Sequence, residues 1–123
     1  MTQDGQDIQR LLPVLDMAFQ AEQVKMAAIM RRIDLLQQQL ADIDRPQGSV
    51  DTFDPATRAS ANILWQTWVQ ERKKLINREL AKVMAERERT RDGMKRALAK
   101  VEAARTIELR AAAERRMRLD RRS

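Results

Sequence analysis

The side chains that could do chemistry in this chain are few. There is no His, Cys or Tyr, so imidazole, thiolate and phenol chemistry are absent. The serines are Ser49, Ser60 and Ser123, and none stands in a recognisable arrangement with a base. Asp42, Asp44, Asp51 and Asp54 cluster around one short stretch. Four carboxylates could hold a hard cation, but the spacing of a calcium-binding loop is missing. Aspartates at helix ends and turns also cap free N–H groups. No catalytic, cofactor-binding or metal residue is therefore expected, and the chain is read as not an enzyme.

The remaining chemistry is charge. Residues 86–123 hold thirteen Lys or Arg against seven Asp or Glu, which is the entire net charge of +6. A basic end calls for an acidic partner surface: nucleic acid, anionic lipid or an acidic protein. Over the whole stretch the cations fall on nearly all sides of a helix. Acidic residues are interleaved at helical spacing, as in Asp92 with Arg96 and Glu114 with Arg118. No aromatic follows Trp68 to stack on bases, so nucleic acid is not the favoured partner. The apolar residues of this end are too scattered for membrane-surface insertion.

These groups must be positioned by helices. Ile8, Leu12, Leu15, Phe19, Glu22, Met26, Ile29, Ile33, Leu36, Leu40 and Ile43 follow each other at alternating steps of four and three. That is the seam of a left-handed coiled coil, broken in character only by Glu22. Pro13 fits the first turn of a helix, so helix 1 is expected over about 12–44, after a loose lead-in. Arg45-Pro46-Gln47-Gly48 is a stop signal. A polar connection over about 45–54 follows. Asp54-Pro55 then restarts the chain as helix 2, about 55–121, with Asp54 as its cap.

Two amphipathic helices joined by a short loop make an antiparallel hairpin. The expected fold is an all-α, two-helix coiled-coil hairpin in a single domain. Helix 2 would be roughly 100 Å long against roughly 48 Å for helix 1. Helix 1 should then reach only to about residues 85–90, leaving a long C-terminal overhang. The seam of helix 2 is read through Ala61, Trp65, Trp68, Arg72, Ile76, Leu80, Val83 and Arg87. It continues through Thr90, Met94, Ala97, Val101, Ala104, Glu108, Ala111 and Arg115. It is bulky to Val83 and then thins. Three successive steps of four, from Trp68 to Leu80, form a stutter. Gly93 is either a hinge or a tolerated surface glycine.

Near the loop the apolar load exceeds what one seam can bury. Leu36, Leu40, Leu64, Trp65, Trp68 and Val69 form a candidate partner patch. Trp65 and Trp68 are expected to close the hairpin core there. No run approaches the roughly 18 apolar residues of a membrane span, and the polar N-terminus lacks a signal core. A cytoplasmic protein without membrane insertion is expected, with no small-molecule substrate and no cofactor. A homodimer stays open, because the spacing does not say whether helix 1 pairs within the chain or between chains.

The layout resembles the FliJ-like stalk proteins of flagellar and related type III export systems. The carriers are the helix 1 ladder, the Asp54-Pro55 restart and the run Arg91-Asp92-Gly93-Met94-Lys95-Arg96-Ala97-Leu98-Ala99-Lys100-Val101-Glu102. The tail Ala111-Ala112-Ala113-Glu114-Arg115-Arg116 adds to them. The resemblance implies a cytoplasmic chaperone-escort protein, peripheral to a membrane-bound export complex. Its partners would be the hexameric export ATPase, the cytosolic domain of the export gate and export chaperones. It further implies that the basic tail, with Arg105, Arg110, Arg115, Arg116 and Arg118, meets the ATPase ring, and that the patch near the loop faces the gate. Family members usually have helices of more similar length. The alternatives are a generic coiled-coil adaptor or homodimeric scaffold, and a basic nucleic-acid-associated helix.

Overall fold

The computed structural model describes residues 2–45 and 54–122, apart from the side chains of residues 2–5. Two helices account for nearly all of it: α1, Thr2–Ile43, and α2, Pro55–Arg122. The fold is an all-α helical hairpin. The expected connecting loop falls mostly on residues 46–53, outside the described residues.

Helix α2 begins as expected. The Asp54 carboxylate accepts a hydrogen bond from the Thr57 backbone N–H at 2.6 Å, and Arg58 N–H donates to the Asp54 carbonyl at 2.9 Å. These are the side-chain cap and the first helical bond of an N-terminus. Arg121 and Arg122 occupy the last turn, where cations suit the negative end of the helix dipole.

Helix α1 begins about ten residues before the expected start and runs through Pro13. Proline inside a helix forfeits one backbone hydrogen bond and crowds the preceding turn. The apolar ladder on both sides of it resolves the conflict. Ile8, Leu12, Leu15 and Phe19 all keep the phase of the seam and all are half-buried. Side-chain burial on the far side of Pro13 thus holds those residues in the helix.

The chain groups into two compact units: residues 28–87, and residues up to Ala27 together with those from Glu88. In unit 28–87, Ile29, Ile33, Leu36, Ile76 and Val83 form a buried core, with Leu40, Ile43, Leu80 and Met84 packed against it. Arg32 pairs with Glu79 at 3.8 Å and Asp44 with Lys73 at 2.6 Å. The α1 number rises as the α2 number falls, so the helices run antiparallel.

In the other unit Asp16 meets Arg105 at 3.7 Å, and a Cβ added to Gly93 would lie 3.1 Å from the Glu22 carboxylate. The order is again antiparallel. Val101, Ala104 and Thr90 are buried here, at 1%, 4% and 6% exposure. Helix 2 was expected to be bare beyond about residue 90. It is covered instead as far as Ala111 and Ala112, both half-buried, and only Ala113–Arg122 is exposed at every position. Small residues on α2 did not mean a missing partner. Gly93 and Ala97 share one notch with Leu15 and Glu22, and large against small is what lets two helices close a seam.

Candidate interaction surfaces

The partner patch expected near the loop divides in two. Leu36 and Val69 are buried, while Leu40 and Trp65 are half-buried, so all four serve the seam. Leu64 and Trp68 are 72% and 51% exposed, and Ile63 beside them is 66% exposed. The seam of α2 passes through Val69 and not through Trp68. Ala61, Trp65, Val69, Lys73 and Ile76 are its buried or half-buried positions, which moves the stutter to Ala61–Lys73. Arg72, expected on the seam, is exposed, and Lys73 takes the place. The Lys73 stem covers apolar surface while its ammonium reaches Asp44.

Trp68 stays attached to the core by stacking. Its ring lies 5.0 Å from that of Trp65, at an interplanar angle of 24°. The half-buried indole thus holds the exposed one in place, as a stacked aromatic pair does. Two further exposed leucines extend this surface: Leu75 on α2 at 55% and Leu35 on α1 at 45%. Leu75 escaped the sequence reading. Its signal was present, because Trp68 and Leu75 are one heptad apart and so share a helix face.

The basic tail also divides. Arg105 is tied to α1 through Asp16. Arg110, Arg115, Arg116 and Arg118 are exposed. At 100° per residue, Arg110, Arg115, Arg118, Arg121 and Arg122 fall within an arc of about 140°. The Leu109–Ala113–Met117 stripe lies outside that arc, with Leu109 67% and Met117 57% exposed. Considered alone, this last segment has a cationic side and a narrow apolar side.

Gly93 is neither a hinge nor a bare surface glycine. It stands against Glu22, the one charged member of the α1 ladder, and leaves room for its carboxylate. Glu22 also pairs with Lys25 at 3.4 Å. Leu15, Ala18, Glu22, Gly93, Arg96, Ala97 and Lys100 line a shallow notch of about 270 Å³ at this place. A charged residue in a ladder opposite a mid-helix glycine was the sequence signal for the pairing.

Among the described residues no group of three His, Cys, Asp or Glu side chains could hold a metal ion. Of the acidic cluster, Asp42 pairs with Arg45 and Asp44 with Lys73, Asp54 caps α2, and Asp51 lies outside the described residues. No described helix is long and apolar enough to cross a membrane. Comparison with protein-family models, with curated proteins and with solved structures finds no match.

Proposed function

We propose that this chain is a non-enzymatic coiled-coil stalk, of the FliJ-like kind, serving a flagellar or injectisome type III export apparatus in the cytoplasm. The observation that carries the reading is the helical hairpin whose last segment, Ala113–Arg122, is exposed at every position and rich in arginine. A helix end with no intrachain cover and one cationic side suits insertion among acidic helices or loops of a ring-shaped partner. In this proposal the partner is the hexameric export ATPase, and the role is to promote ring assembly. The exposed apolar residues Leu64 and Trp68 are the proposed contact for the export gate or for chaperones. The longer pairing of α1 with α2 also supports the reading, since it brings the two helices nearer the matched lengths of the resembled family.

ATP hydrolysis by the export ATPase of the same genome, with and without this protein, tests the proposal. Stimulation that disappears when residues 113–123 are deleted is expected. Absence of both stimulation and co-elution would remove the stalk reading. A coiled-coil scaffold is the second reading, favoured by the apolar face that includes Leu35, Trp68 and Leu75.

A further inference from the structure

We infer that residues 2–27 of α1 act as a strap that lets go of α2 from Glu88 onwards while unit 28–87 stays paired. The inference does not rest on the stalk reading. Its basis is the different depth to which one ladder is buried along α1. In unit 28–87 the ladder sends Ile29, Ile33 and Leu36 into the interior, where they join Ile76 and Val83. In the other unit Ile8, Leu12, Leu15, Phe19, Glu22 and Met26 are all only half-buried. Among the described side chains of α1 before Ile29, none is buried. Apolar stabilisation scales with the area removed from water, so each turn of the strap is held less tightly than each turn beyond it.

Three further features weaken the strap. The buried positions that α2 offers it are small or polar: Thr90, Val101 and Ala104. Glu22 puts a charge in the seam, beside the notch it shares with Gly93 and Ala97. Pro13 removes a backbone hydrogen bond from within the strap. The Asp16–Arg105 pair spans the two helices at 3.7 Å, but both side chains are more than a third exposed, so it adds little. Shallow burial and exposed ion pairs mark the low-stability end of a structure, and such regions open as contiguous units. The division of the chain at Ala27 and Glu88 is where that opening stops.

Release leaves α2 bare from Glu88 to its end, whereas the closed hairpin leaves only Ala113–Arg122 exposed at every position. The strap thus sets how much of the basic helix is accessible. A helix without tertiary support is marginal in water, so the two freed segments exchange their backbone protons with solvent together.

Hydrogen exchange of the full chain, followed by mass spectrometry in a urea series below the unfolding transition, tests the inference. Residues 14–27 and 90–111 are expected to share one protection factor. It should lie at least about tenfold below that of residues 29–43 and 69–86 and depend less on urea. Glu22→Leu completes the ladder with a side chain no longer than glutamate. It should raise the protection of residues 14–27 and 90–111 by about three- to tenfold and leave 29–43 and 69–86 unchanged. Phe19→Ala should do the opposite, again in both segments and nowhere else. Equal protection throughout the chain, a change spread over all residues, or a loss confined to α1 and graded towards its N-terminus would each overturn the inference.

Discussion

The two units of this hairpin solve one problem with opposite materials. Unit 28–87 buries branched and long aliphatic side chains from both helices, Ile29, Ile33 and Leu36 against Ile76 and Val83. The unit formed by residues up to Ala27 and from Glu88 sets Leu15 and Glu22 on α1 against Gly93 and Ala97 on α2, with Thr90, Val101 and Ala104 the buried positions of α2. A core of large residues on both sides is sensitive to lost volume. A seam of large against small is sensitive to added volume. The difference teaches that a thinning seam is not evidence of a missing partner helix.

The largest expected effect follows from the first half of this comparison. Leu36→Ala removes a side chain that is 2% exposed and should cost about 2–5 kcal/mol in urea unfolding. Ile33→Asp should go further and unfold this unit, since Ile33 packs inside its own chain. The second half predicts the reverse sensitivity. Ala104→Leu, at a position 4% exposed, should cost about 1–3 kcal/mol by overpacking. An Ala104→Leu protein as stable as wild type would break the comparison.

Gly93→Ala sharpens it. Alanine gains up to about 1 kcal/mol of helix propensity over glycine. The new Cβ would come within 3.1 Å of Glu22 Oε2, the far end of a flexible side chain. The substitution alone should therefore stabilise by less than that amount, and in a Glu22→Ala background by nearly all of it. A double-mutant cycle reads the coupling. Below this in size, Arg105→Ala should cost less than about 0.5 kcal/mol and lose even that at high salt, because its pair with Asp16 is largely exposed.

The smallest effect is acid-dependent. Hydrogen bonds from the Thr57 side chain and then its backbone hold the Asp54 carboxyl below its ordinary value of 3.8. Its folded pKa is the lower one, so the contribution is complete above that value and is lost as pH falls through the folded pKa. Asp54→Asn keeps a cap but should flatten this part of the pH–stability profile below 3.8, measured by thermal unfolding.

Much of the hairpin was legible because coiled-coil spacing is a direct consequence of helix geometry. All eleven positions of the α1 ladder, from Ile8 to Ile43, are buried or half-buried. Three features were not legible. The start of α1 was hidden by Pro13, whose local penalty is outweighed by burial of Ile8 and Leu12 on its far side. The path of α2 near the loop was hidden by Trp68, because size pointed inward while phase required Val69. The covered length of α2 was hidden because small seam residues resemble no seam. The candidate surfaces inherit these limits. Leu36 and Val69 belong to the interior because the seam runs through them, while Leu64 and Trp68 remain outside.

The exposed end of α2 has one more consequence. After Lys100 every cation in the chain is arginine. Ala113–Arg122 is a short helix segment without packing, so it should open readily by fraying. An arginine-specific protease should trim it in minutes where a lysine-specific one leaves it whole, and amine-directed cross-linkers should be blind to it. Any partner that covers this end will thus announce itself as lost arginine cleavage, a footprint that can be read without knowing the partner beforehand.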